Sequence, residues 1–226
     1  MNPQMPSSLN EADARAVLGR DVLGAAEVQS VFGTPPAVPA LPFSRADLEA
    51  AAQRGEMLVL RVGAVTGGPP LTILEMLRRF PDAFDARYLR KVGYQLKDEW
   101  GIELEPRAGT DTCATGWALT RKEVLAEACN LIYDDQACAL EGYAAQVGAA
   151  VRRRSAVEIV YDTLLYFRAR DTRLLQRTWD WSDSRTLDGG LLNVGGFGPT
   201  GLQLFSYSKA VRHGGLSLCP TRQPGA

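Results

Sequence analysis

The chain has 226 residues, 46% hydrophobic and 23% charged, a balance that suits a folded protein and excludes disorder along its whole length. Twenty-five Lys and Arg stand against 26 Asp and Glu, for a formal net charge of -1. The basic excess of a protein that coats nucleic acid is therefore missing.

No apolar run approaches the roughly 18 residues of a membrane-spanning helix, and Met1 to Ser8 lacks the basic start and apolar core of a signal peptide. A cytoplasmic location without a membrane span is expected.

Ser8-Leu9-Asn10-Glu11 reads as a capping box, predicting a helix through Leu18 that stops at Gly19. A second helix is expected over Ala25–Val31, ending at Gly33. Four prolines between Thr34 and Pro42 predict an extended linker, because each proline fixes φ and removes a donor. Ser44 with Asp47 starts the next helix, which runs to Arg54. Met57–Val62 is an apolar run of strand length. Thr72 with Glu75 caps a helix that ends before Pro81. Arg87–Tyr94 is ambiguous between strand and helix.

Further along, Gly116–Leu119 reads as a strand, and helices are expected from Lys122 and over Asp134–Val151. Ser155 and Glu158 form another capping box. The apolar residues Val157, Val160, Tyr161, Leu164, Leu165 and Phe167 after it fall on one helical face, ending near Arg170. After Asp171 short strand-like runs alternate with glycine-rich turns: Leu174-Leu175, Thr178–Trp181, Leu191–Val194, Gly201–Tyr207 and Leu216–Cys219. The fold class is α+β. The expected organisation is a helical segment over 1–34, a proline-rich linker over 35–42, a small α/β region over 43–110 and a C-terminal domain over 111–226.

Candidate chemistry is sparse. Cys113, Cys129, Cys138 and Cys219 form no C-x-x-C pair, and one histidine occurs. Zinc is not expected, and the cysteines read as reduced thiols packed like small apolar residues. Asp180, Ser182 and Ser184 alternate like the start of a calcium loop, but Arg185 and Leu191 stand where glycine and glutamate are needed. A polar strand edge is the plainer reading, and no metal or cofactor is expected. Gly195–Gly198 lacks the lysine and helix start of a phosphate cradle and reads as a tight turn. Arg152-Arg153-Arg154 reads as a solvated helix junction. Trp179 and Trp181 share one side of a strand and suit the core.

His213 is the one side chain suited to act as an unperturbed base at neutral pH, with Ser206 and Ser208 nearby in sequence and Asp180, Asp183 or Asp188 as carboxylate candidates. Phe205, Ser206, Tyr207, Ser208, Lys209, Arg212 and His213 mix aromatic, hydroxyl and cationic groups between strand-like runs, a composition suited to an exposed contact surface. Gly201, Gly214 and Gly215 are expected to shape its backbone.

The run Asp188-Gly189-Gly190-Leu191-Leu192-Asn193-Val194-Gly195-Gly196-Phe197, then Gly201-Leu202-Gln203-Leu204 and Gly215-Leu216-Ser217-Leu218-Cys219-Pro220-Thr221-Arg222, resembles the end of the variable proteins of diversity-generating retroelements, found in bacteria and phages. Pro42-Phe43-Ser44 and Gly116–Leu119 resemble the upstream part of bacterial proteins sharing this ending. The family departs from this chain at Cys219-Pro220, where it has small residues, and at Gln203, where asparagine is common. The resemblance implies a C-type-lectin-like domain, with two helices before a loop-rich antiparallel end. It also implies a ligand-binding function, with a protein or other macromolecule as partner and no enzymatic activity. The calcium-dependent Glu-Pro-Asn motif of sugar-binding lectins is missing. The alternatives are an enzyme using His213 as general base and a structural module of phage or mobile-element origin.

Overall fold

The computed structural model describes residues 9–85 and 101–222; Arg87–Tyr94 lies outside the described residues. The helices among them are α1 (Glu11–Leu18), α2 (Ala25–Val31), α3 (Arg45–Gln53), α4 (Ile73–Arg79), α5 (Pro106–Thr110), α6 (Gln136–Val147) and α7 (Ala156–Arg170). The strands are β1 (Val22–Leu23), β2 (Glu56–Arg61), β3 (Gly116–Arg121), β4 (Trp179–Arg185), β5 (Leu191–Gly198), β6 (Gly201–Tyr207), β7 (Leu216–Ser217) and β8 (Thr221–Arg222). They form two mixed sheets in the orders β1-β2-β3-β8 and β6-β5-β4-β7. Within them β1 runs parallel to β2 and β7 parallel to β4, while the other pairs are antiparallel. The chain is an α+β protein.

Caps set most helix starts. The Ser44 and Asp47 side chains satisfy each other's backbone N–H at the start of α3, and Ser155 and Glu158 do the same for α7. At α1 the reciprocal pair is Asn10 with Asp13; Ser8, the expected cap partner of Glu11, lies outside the described residues. Glu11 instead accepts from Arg15 and from the Ala25 N–H, joining α1 to α2. The helix expected from Lys122 does not form. Leu125 donates its N–H to Leu218 and accepts the Ser217 hydroxyl at 2.6 Å, so its backbone serves the C-terminal segment; a single 3₁₀ turn follows at Ala126–Ala128. Nor do Leu174 and Leu175 form a strand, since Leu175 has φ 54°. Helix α6 is shorter than expected and stops at Gly148, whose left-handed φ of 67° closes it.

Helix α7 differs from its amphipathic pattern. Every residue from Ala156 to Tyr166 is buried, because the helix packs against β1 and β2 of the first sheet and against β4 and β5 of the second. One apolar core runs from Ala14 to Cys219 and draws on α1 to α4, α7, β2, β3, β5 and β6. The four segments expected from the sequence all contribute to structure shared with another: β1 comes from the first, the Trp117 indole N–H donates to Pro39 O in the second at 3.0 Å, β2 lies in the third, and β3 and β8 complete the sheet from the last.

Candidate functional site

The second sheet has two faces, separated by the alternation of its strands. Register places Trp181 opposite Asn193, Asn193 opposite Phe205, and Leu191 opposite Tyr207. With Trp179, these residues make an aromatic face turned away from α7, in which Trp181, Leu191, Asn193 and Phe205 are buried. Trp179 lies 6.1 Å from Phe205, and Phe205 stacks on Tyr207 at 5.9 Å. The opposite face carries Asp180, Ser182, Leu192, Val194 and Leu204 toward α7.

Two loops border the aromatic face and are clipped together through their backbones. Tyr133 N–H donates to Lys209 O at 3.0 Å and Asn130 N–H donates to His213 O at 3.1 Å. Within the second loop Val211 N–H donates to Ser208 O, and Leu216 N–H donates to His213 O. Tyr133 packs edge-on against Trp181 at 5.3 Å, with the Arg153 guanidinium 4.0 Å over its ring and Lys209 Nζ 5.1 Å away. Burial pushes the Tyr133 hydroxyl pKa up.

The structure divides the expected contact residues. Phe205 and Ser206 are 6% and 8% exposed, so these two do not belong to an exposed surface. Phe205 fills the gap between Trp179 and Tyr207. Ser206 lies on the inner face, where its hydroxyl is 2.9 Å from that of Thr186, beside the Asp188 turn. Tyr207 and Lys209 are half-buried, while Ser208, Arg212 and His213 are exposed. Lys209 pairs with Asp134 at 2.9 Å and Arg212 with Asp135 at 3.3 Å. The sequence offered no signal for these acids as partners, since they lie some 75 positions away along the chain. Gly201 has φ 116° and lies against Phe84, where a Cβ would come within 2.4 Å of its carbonyl carbon. Gly215 is also confined, a Cβ there meeting Arg177 O at 3.0 Å, but among the described residues nothing crowds Gly214.

His213 Nδ1 accepts the Gly215 N–H at 3.0 Å, and the ring packs edge-on against Trp179 at 5.4 Å. Among the described residues it makes no hydrogen bond with a serine or a carboxylate. Among them, too, no group of three or more His, Cys, Asp and Glu could hold a metal ion.

Several residues behave differently from their sequence reading. Arg153 and Arg154 are 8% and 1% exposed, so they are not a solvated junction. Arg153 donates to Gln136 and to the carbonyls of Tyr133 and Trp181. Arg154 lies 2.8 Å from Asp162 and 2.7 Å from Asp180. Buried carboxylates on α7 and β4 draw the guanidinium inward, since a buried charge needs an opposite one. Asp180 also accepts the Cys219 N–H. The alternating Asp180, Ser182 and Ser184 therefore point into the molecule from a strand flanked on both sides, rather than along an edge. Gly195–Gly198 is not a turn but the irregular end of β5, where Gly196 has φ 54° and a Cβ on Gly195 would sit 2.2 Å from Thr178 O. Cys113 and Cys219 are buried as expected, but Cys129 is only partly so and Cys138 is exposed.

Asn193 was missed as a candidate. It is fully buried and, among the described residues, neither amide atom has a partner, nor do the indole nitrogens of Trp179 and Trp181 on the same face. A lone asparagine inside Leu191-Leu192-Asn193-Val194 was the available signal.

The fold and this face define an α+β protein with an aromatic sheet face bordered by two backbone-clipped loops. No family model, curated protein or solved structure matches the chain.

Proposed function

We propose that the protein is a recognition protein. Its contact surface is made by Tyr207, Ser208, Lys209, Arg212 and His213, and its partner is a protein or another macromolecule. The observation that carries this reading is the way loop 208–215 is held. Alongside side-chain bonds from His213 and Arg212, it is anchored by bonds that run from backbone to backbone, through Lys209 O, His213 O and Ser208 O. Such bonds do not depend on side-chain identity, so the loop keeps its path while its side chains change. That is the physical requirement for a surface of the kind displayed by variable proteins of diversity-generating retroelements. A C-type-lectin-like C-terminal half is part of the same proposal. The order of α6 and α7 before antiparallel β4, β5 and β6 supports it, as does the return of β8 to pair with β3.

The DNA beside the coding region tests the reading. A reverse transcriptase gene and a near-identical repeat of the stretch encoding the last strands and loops are expected. A neighbourhood with neither would remove the retroelement reading. The wider recognition role would then rest on whether simultaneous randomisation of 208, 212 and 213 leaves folding intact; collapse of most variants would overturn it.

A further inference from the structure

Away from the sheet face, a cleft of about 560 Å³ opens among Lys122, Val124, Tyr166, Arg173, Leu174 and Thr178, within the size range of small-molecule sites. Arg173 is its most unusual member. Its guanidinium lies 4.7 Å over the Phe167 ring and 5.6 Å over that of Phe197, which together fix its position. Among the described residues it makes no ion pair and donates no side-chain hydrogen bond, and its Nε is buried without a partner. A donor nitrogen buried without an acceptor, as at Arg173 Nε, costs free energy.

The rest of the cleft sets the ligand's charge. Lys122 Nζ is held by Asp21 at 2.6 Å, and Asp21 also accepts the Tyr166 hydroxyl at 2.7 Å, so most of that cation's field is already answered. Glu123, an exposed carboxylate, also lines the cleft. Arg173 is then the one cation among the lining residues with no carboxylate partner, which favours a single negative charge over a doubly charged phosphate. Leu174, Leu175 and Val124 supply apolar wall. Leu175 adopts φ 54°, an uncommon conformation for a bulky side chain, of the kind that concentrates at ligand sites.

We infer that this cleft binds a small monocarboxylate with an aliphatic body, the carboxylate forked on Arg173 and the chain lying against Leu174, Leu175 and Val124. Planar guanidinium and carboxylate groups match in a bidentate pair that lysine cannot reproduce. The inference is independent of the recognition surface.

Titration calorimetry of the full chain with octanoate, octan-1-ol and inorganic phosphate tests it. Octanoate is expected to bind at one site per chain, with octan-1-ol and phosphate at least tenfold weaker. Arg173→Gln should weaken octanoate at least tenfold, and Arg173→Lys should recover only part of the loss. Thr178→Glu, which places a second negative charge in the cleft, should also abolish binding; it serves as the deciding variant if Arg173→Gln does not fold. Absence of octanoate binding, equal binding of octan-1-ol, or full affinity in a folded Arg173→Gln or Thr178→Glu protein would overturn the inference.

Discussion

Arg61 and Asp162 stand 101 positions apart in the chain, yet their side chains meet in two hydrogen bonds, at 2.9 and 2.6 Å, with neither side chain exposed. The pair fastens β2 of the first sheet to α7. Glu158 extends it, accepting from Arg61 and from Arg152, and Arg154 carries it on from Asp162 to Asp180 on β4. Three arginines and three carboxylates thus join both sheets through one helix, with no net charge.

Removing one member should therefore leave an unanswered buried charge. Arg61→Met is expected to lower the free energy of unfolding by about 3–5 kcal/mol, measured by urea denaturation. Replacing Asp162 by leucine in the same protein should cost less than the sum of the two single changes, because the pair is coupled. Additive losses would show that the two side chains act separately.

Glu158 in this network predicts acid sensitivity, although burial raises the Asp180 carboxyl and works against it. Burial pushes the Glu158 carboxyl up, but Arg61 and Arg152 together with the Ser155 N–H outweigh it and hold the group at about 2. A carboxyl whose folded pKa lies below its unfolded value binds protons more readily when unfolded. Its stabilisation is complete above the ordinary carboxylate range and is lost as pH falls from about 4.5 toward about 2. For Glu158 this amounts to roughly 3 kcal/mol. Glu27, held at about 2 against its own burial by Arg15 and Arg170, should act in the same direction. Melting temperatures followed from pH 7 to pH 2 should fall steeply only below about pH 4.5, and Glu158→Gln should flatten that fall.

Gly201 and Gly214 offer a comparison within the candidate site. A methyl on Gly201 would press into the Phe84 carbonyl carbon at 2.4 Å from a backbone at φ 116°, whereas one on Gly214 would meet nothing within 4 Å among the described residues. Gly201→Ala is expected to destabilise by at least about 1–2 kcal/mol, and Gly214→Ala by no more than about 0.5 kcal/mol. Equal effects in denaturant melts would mean that the close approach of β6 to Phe84 does not matter for stability.

Much of the fold was legible in the residues because local chemistry decides it. Ser44 with Asp47 and Ser155 with Glu158 are short-range caps, and β6 spans the same Gly201–Tyr207 run that its pattern suggested. What could not be read depends on distant partners. Nothing near Arg154 in sequence shows that Asp180 will bury it, and nothing near Lys122 shows that Leu125 will bond to Leu218. The candidate site follows the same division. The exposure of Ser208, Arg212 and His213 agrees with their composition. The burial of Phe205 and Ser206 follows from strand alternation and from neighbours brought in by Trp179 and Thr186.

That division gives the last prediction. Phe205 is packed between Trp179 and Tyr207, so Phe205→Ala should remove about 3–5 kcal/mol of stability, as for a core aromatic. Tyr207 is half-buried and stacks on one side of Phe205; its loss should cost about 1 kcal/mol. Arg212 is more than half exposed in its side chain, and its pairing with Asp135 at 3.3 Å is a surface contact. Exposed ion pairs contribute between about 0 and 1 kcal/mol, so Arg212→Ala should stay within about 0.5 kcal/mol of the parent. The order of thermal midpoints should be Arg212→Ala highest, then Tyr207→Ala, then Phe205→Ala. If Arg212→Ala and Ser208→Ala destabilise as strongly as Phe205→Ala, the loop's path depends on its side chains after all. The backbone-anchored display surface would then be wrong, whatever partner it was thought to meet.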